Sequence, residues 1–131
     1  MQAAVLVVAG AQIGIIGAIS ALAAPAAFAT MSTDAASRYL RRLFPRYFAT
    51  AAILAVIAGV VATLAGHGVA GALLAGDALC FVAALALVPR INAARDQGDP
   101  AFGRLHGLSV VLNMVGGLLA IAAVIVVGLS G

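Results

Sequence analysis

The chain has 131 residues, of which 65% are hydrophobic and only 8% are charged. A soluble domain of this length is roughly half apolar, so the composition excludes an ordinary water-soluble fold and indicates that lipid surrounds most of the polypeptide. The formal charge of +3 comes from seven arginines and four aspartates, with no lysine and no glutamate, so it depends on very few positions. The single cysteine, Cys80, excludes an intrachain disulfide.

Four apolar runs follow one another along the chain, at about residues 3–28, 47–64, 69–91 and 105–129. Each is long enough to cross a bilayer, which takes about 20 apolar residues in a helix. The runs lack the alternating polarity of membrane barrel strands, and in lipid only a helix satisfies its backbone groups within one segment. The sequence therefore predicts an all-α fold, an integral membrane four-helix bundle that forms one transmembrane domain over residues 1–131.

The first run has two features that need interpretation. Ala27-Phe28-Ala29 resembles a signal-peptidase site, but no positive residue precedes the run and its apolar length exceeds the roughly 7 to 15 residues of a signal peptide, so we expect a retained helix. Gly10, Gly14 and Gly17 form a stripe of small residues that lets another helix approach closely. That helix belongs either to the same bundle or to a second protein, as in a homo-oligomer or a larger membrane complex.

An amphipathic segment at residues 34–44 separates the first two runs. One helical face is apolar and the other is basic, carrying respectively Tyr39, Leu40, Leu43, Phe44 and Arg38, Arg41, Arg42. This pattern predicts a short interfacial helix between helices 1 and 2, with Ser32 or Thr33 as its cap. Pro45 follows the segment and would allow a change of direction before the second span.

All the arginines lie in the first and third connections. They are Arg38, Arg41, Arg42, Arg46, Arg90, Arg95 and Arg104. Positive residues mark cytoplasmic loops, so we expect both termini and the turn around His67 to lie outside the cytoplasm. The partner this composition implies is the lipid bilayer, and nothing in it indicates nucleic acid.

Asp77 is an acidic residue inside the third span. A charged side chain at such a depth costs about 2.5–3.5 kcal/mol on insertion scales. It is either a proton or cation relay point or ligand anchor, or a protonated carboxyl hydrogen-bonded across helices. Gln12 lies at a similar depth in the first helix and is the expected partner. Both interpretations stay open.

A polar stripe runs inward from the arginine-rich end of the last helix. His106, Ser109 and Asn113 follow one another at spacings of three and four residues, which places them on one helical face. Arg46, Tyr47 and Asn92 lie at a comparable level of helices 2 and 3. The six residues are candidates for a ligand-binding pocket that faces the cytoplasm. The alternative is plain interhelical hydrogen bonding, at about 0.6 kcal/mol per contact.

The sequence gives little support for catalysis or for a metal. His106 could ligate haem or a metal, but such sites usually take two or more ligands, and the other histidine, His67, falls at the opposite end. No nucleophile with a nearby base and no glycine-rich phosphate loop is present. We therefore expect no enzyme activity, no catalytic residue, no metal and no cofactor.

Three stretches together resemble the transmembrane protein 205-like family, a group of four-helix membrane proteins. They are Pro25-Ala26-Ala27-Phe28, Leu43-Phe44-Pro45-Arg46-Tyr47-Phe48, and Asn92-Ala93-Ala94-Arg95-Asp96 with the following Phe102-Gly103-Arg104-Leu105-His106-Gly107-Leu108-Ser109 and Asn113. The resemblance covers nearly the whole chain. It implies a four-helix fold of this topology in the inner (cytoplasmic) membrane of a bacterium, and no established reaction. Asp77 lies in none of these stretches.

Three functions remain open from the sequence. The leading hypothesis is a non-enzymatic membrane protein whose cytoplasmic-side polar pocket binds a small ligand or ion. The second is an accessory subunit of a larger membrane complex, which the short loops and the small-residue stripe favour. The third is a haem- or metal-associated membrane enzyme, which depends on His106 and Asp77 alone.

Overall fold

The structure, a computed structural model, describes residues 1–130, and these are almost entirely helical. The elements in chain order are α1 (Gln2–Gly17), a π-helical turn (Ala18–Ala23), α2 (Ala24–Thr30), α3 (Thr33–Leu64), α4 (Gly68–Asp96) and α5 (Ala101–Leu129). Because α1, the π-helical turn and α2 are continuous, they form one rod of 29 residues, the first span. All four rods are long and apolar enough to cross a membrane. The prediction of an all-α four-helix membrane bundle is confirmed.

Short connections make successive helices antiparallel. Gly66 and Gly98 provide sharp turns after α3 and α4, with φ angles of +86° and +63° that only glycine adopts without strain. This up-and-down topology brings every arginine to one end of the bundle, the arginine-rich end. The chain termini lie together at the other end, where the Gln2 side chain donates a hydrogen bond to the carbonyl of Val127 at 2.9 Å.

Two different kinds of core fill the bundle. Near the chain termini the buried residues are mostly alanines with a few larger aliphatics. Near the arginine-rich end the buried alanines are joined by aromatic rings, and this aromatic cluster consists of Tyr47, Phe48 and Phe81 with the partly buried Phe44. In lipid, helices associate through close packing of small residues rather than through a hydrophobic driving force. At Gly59 of α3, for example, an added Cβ would lie 3.3 Å from Leu74 Cβ of α4.

The amphipathic segment is helical, as predicted, but it is not a separate helix. Residues 34–44 form the first turns of α3, which continues through Pro45 to Leu64. Proline removes one backbone hydrogen bond, yet the helix continues past it, and Ala36 and Leu40 of the segment are buried against Ala27 of α2. Of the two expected caps, Ser32 is the one observed, and its side chain accepts a hydrogen bond from the Ala35 amide at 3.2 Å.

The first span changes its packing partner along its length. In the π-helical turn, the Ala24 amide donates to the carbonyl of Ile19, five residues earlier, just before Pro25. The turn rotates the residues that follow it, and π-helical turns often occur at functional sites. As a result α1 packs on both α3 and α5, whereas α2 packs on α3. A groove opens between α2 and α5 at the arginine-rich end.

Candidate functional site: a groove at the arginine-rich end

The groove has a volume of about 600 Å³ and is bounded by the π-helical turn, α2, α3, α4 and α5. Its apolar walls come from Phe28, Leu40, Phe44, Phe48, Val88, Val110 and Met114. Its polar and charged lining comes from Ser20, Arg41, Asn92, Arg95, His106, Ser109 and Asn113, among others. Ligand sites commonly combine apolar walls with a few polar groups in this way, at volumes of about 300–1,000 Å³.

Four of the six candidate residues line this groove: Asn92, His106, Ser109 and Asn113. Tyr47 lies behind the wall, buried in the aromatic cluster, and reaches the groove only through a hydrogen bond to Asn113. Arg46 lies outside the groove. It is exposed on the outer face of α3, beside Arg38 and Arg42. Successive helical residues point about 100° apart, so burial of Tyr47 turns the side chain of Arg46 away from the bundle.

Asn113 connects three elements at the inner end of the groove. Its side-chain oxygen accepts a hydrogen bond from the Tyr47 hydroxyl at 2.5 Å, and its amide nitrogen donates to the Ser20 hydroxyl at 3.3 Å. These bonds connect α3, α5 and the π-helical turn. Ser20 was not predicted as a site residue, although it is the one hydroxyl-bearing residue of the first run and lies at the depth of Asn113.

Ser109 and His106 play different parts in the lining. The Ser109 hydroxyl is buried and donates to the carbonyl of His106 at 2.7 Å, so it is satisfied within its own helix. The imidazole of His106 is exposed and stacks on Phe102, with ring centroids 5.6 Å apart. Arg95 lies near the same Phe102 ring, its Cζ atom 5.8 Å from the centroid, within the distance of a cation–π interaction.

Arg41 connects α3 to the end of α4 beside the groove. Its guanidinium donates to both carboxylate oxygens of Asp96, with Nη1 at 3.1 Å from Oδ2. A bidentate arginine–carboxylate pair fixes geometry as well as charge. Arg41 and Arg95 were not predicted to line the groove, because the pattern of residues 34–44 places Arg41 on the basic face and Arg95 belongs to a charged connection.

Asp77 lies deeper in the bundle, away from the groove, and its expected partner is confirmed. The Gln12 side-chain amide donates to Asp77 Oδ2 at 2.7 Å, and both residues are 0% exposed. The other two oxygens of the pair, Gln12 Oε1 and Asp77 Oδ1, have no hydrogen-bond partner. Gly116 of α5 makes room for this contact, since a Cβ there would lie 2.9 Å from Asp77 Oδ1.

Metal-binding groups do not converge in the described part of the chain. Residues 1–130 contain no cluster of three histidine, cysteine or acidic side chains that could hold an ion. His67 precedes α4 at the end of the bundle that carries the chain termini, while His106 lies in α5 near the arginine-rich end. The two imidazoles therefore cannot ligate one metal within a single copy of the chain.

The fold and the groove define a class of protein, a small four-helix membrane bundle with a side-opening cavity at its arginine-rich end. More particularly, the chain belongs to the family described as Domain of unknown function (DUF4149), whose profile matches residues 7–100. The match covers the first three spans and ends just before α5, the helix that carries His106, Ser109 and Asn113. No curated protein and no solved structure matches the chain.

Proposed function

We propose that the chain is a non-enzymatic membrane protein that holds a small ligand in the groove. The observation that carries this proposal is the cavity of about 600 Å³ into which Asn92, His106 and Asn113 converge from two helices. Its apolar walls would exclude water, while the amides and the imidazole would orient the ligand. Asn113 keeps hydrogen-bonding capacity for this purpose, because an amide offers two donors and two acceptor sites.

The cellular setting is part of the same proposal. The arginine-rich end would face the cytoplasm of a bacterium, with the chain termini on the outer side of the inner membrane, as the positive-inside rule expects. The resemblance to transmembrane protein 205-like proteins supports the same four-helix topology and implies no reaction. The groove would thus open toward the cytoplasmic leaflet.

The test is retention of a ligand by a variant whose groove is filled. Val110→Phe adds bulk to the groove wall, whereas Val111→Phe adds the same bulk to the next residue, which is exposed and lies outside the lining. We expect native mass spectrometry of protein purified in mild detergent to show a bound small molecule on the wild type and on Val111→Phe. The bound mass should be absent from Val110→Phe and from His106→Ala/Asn113→Leu. Equal retention by all four proteins, or an unliganded wild type, would refute the proposal.

An accessory-subunit role is the second candidate function, and the glycine stripe of α1 favours it. Gly10, Gly14 and Gly17 are exposed, and a Cβ added at any of them would meet nothing within 4 Å. The stripe therefore lies on the outer surface of the bundle, where a second protein or a second copy can pack closely.

Purification from the native membrane in mild detergent tests this role. We expect a stoichiometric partner or a homo-oligomer from the wild type, and its loss from Gly14→Ile. Gly128→Ile is the matched control, since Gly128 also has open space around it but lies on α5. A wild-type protein that runs as a monomer without a partner would count against the role.

A further inference from the structure

The charged lining of the groove has one sign. Arg41 and Arg95 line it, and no acidic residue does. Asp96, the carboxylate bound to Arg41, is itself outside the lining and largely exposed. Arg95 forms no ion pair within residues 1–130, and Arg41 Nε is buried without a hydrogen-bond partner. The groove is therefore complementary to an anion.

The cationic groups lie at one end of the groove and apolar side chains line its depth. Arg41 and Phe48 are seven positions apart in α3, a rise of about 10 Å toward the middle of the bundle. Along this depth the walls are formed by residues such as Phe44, Val88 and Val110. A ligand that fits both parts has an anionic head and an apolar tail.

The groove also opens sideways, between α2 and α5. Phe28 on one wall is 54% exposed and Met114 on the other is 61% exposed, so both edges face outward from the bundle. In a membrane this outer surface contacts acyl chains. An amphiphile can thus enter from the leaflet, with its chain staying in hydrocarbon while its head reaches the arginines.

We infer that the ligand of the groove is a long-chain carboxylate, a fatty acid taken from the leaflet at the arginine-rich end. This inference rests on the proposed ligand-binding function and specifies its chemistry. The carboxylate lies at Arg95, which has no ion-pair partner among residues 1–130 and whose planar guanidinium matches a carboxylate in a bidentate geometry; Arg41, held by Asp96, adds positive charge beside it. The acyl chain extends along the apolar walls toward Asn113, whose oxygen and nitrogen each make one hydrogen bond within the bundle, to Tyr47 and Ser20.

The chain has no tryptophan, which allows a single fluorescent reporter to be introduced. Met114→Trp places it on the groove wall, and Val115→Trp places it at the same depth outside the lining. In phosphatidylcholine nanodiscs at mildly alkaline pH, the probes are dibrominated stearic acid and its uncharged methyl ester, both of which quench tryptophan on contact. We expect saturable quenching by the acid at Met114→Trp and only the linear quenching of bilayer partitioning at Val115→Trp.

The arginines are tested on the Met114→Trp background. Adding Arg41→Gln and Arg95→Gln should weaken the saturable phase about tenfold or more, because charge-assisted contacts are lost. The single change Arg95→Gln should weaken it as well and leaves the Arg41–Asp96 pair intact. Arg42→Gln with Arg90→Gln removes the same charge from exposed positions outside the groove and should leave the affinity unchanged.

The remaining outcomes distinguish a failure of the fatty-acid inference from a failure of the proposed ligand-binding function. If the ester binds as tightly as the acid, the groove binds an acyl chain whether or not its head is charged. The inference then fails and the proposed function stands. If neither probe shows a saturable phase, the long-chain carboxylate is refuted. The native mass spectrometry of Val110→Phe then decides by itself whether the groove holds a ligand.

Discussion

Phe81→Ala is expected to lower the free energy of unfolding by about 3 kcal/mol, the low end of the range for replacing a buried phenylalanine by alanine. Phe81 is the largest fully buried side chain, and its ring contacts those of Tyr47 and Phe48 at centroid distances of 5.9 and 6.2 Å. Lipid is as apolar as the core, so the transfer contribution is small and the loss comes from the cavity and from the aromatic contacts.

Reversible unfolding in mixed micelles measures this loss. Val82→Ala is the matched control, because Val82 follows Phe81 in α4 and is 52% exposed toward lipid. We expect the control to change the free energy of unfolding by at most about 0.5 kcal/mol. If Phe81→Ala were no more destabilising than Val82→Ala, the aromatic cluster would not be the packed core that the structure shows.

The spans were predictable from sequence because lipid leaves the backbone few choices. A long apolar run must be a helix in hydrocarbon, and short connections then dictate antiparallel neighbours. The hydrogen bond between Gln12 and Asp77 was also predicted correctly, since two polar side chains at one depth of a bundle have few other partners. Depth along a span can be read from the sequence with some accuracy.

The rotation of a side chain about its helix is harder to read. Arg46 and Tyr47 are adjacent and lie at one depth, yet the structure buries the tyrosine and exposes the arginine. The contacts of Tyr47 with Phe81 of α4 and Asn113 of α5 decide between the two. For the same reason Arg41 was not expected beside the groove, where its ion pair with Asp96 of α4 holds it.

Pro25 and Pro45 show why the course of the helices was predicted incompletely. Pro45 lies inside α3, which continues past it, and Ala36 and Leu40 ahead of it pack on α2. Pro25 follows the π-helical turn, beyond which α2 packs on α3. A proline weakens the helix locally in both cases, and the tertiary contacts of the neighbouring residues decide what the helix does next. Those contacts, and hence the groove, are absent from a local sequence pattern.

Gln12→Leu is expected to lower the free energy of unfolding by about 2 kcal/mol, within the range for a buried polar group left without its partner. The Gln12 amide is the one side-chain donor that the structure gives to Asp77, so its loss leaves both carboxyl oxygens unpaired in the core. Polar contacts in membrane bundles average less, about 0.6 kcal/mol, because the unfolded chain finds other partners. The full burial of this pair places the expected effect above that average.

Two further variants distinguish a structural role of Asp77 from a functional one. Gln12→Leu/Asp77→Leu removes both polar groups, and it should recover at least half of the lost stability, since no unpaired group remains. Asp77→Asn keeps a partner for Gln12 and removes the ionisable group, so it should unfold within about 0.5 kcal/mol of the wild type. If Asp77→Asn also retains the mass-spectrometric ligand, the carboxyl acts as a polar contact between α1 and α4. Loss of the ligand from this stable variant would instead connect the ionisable group to the groove.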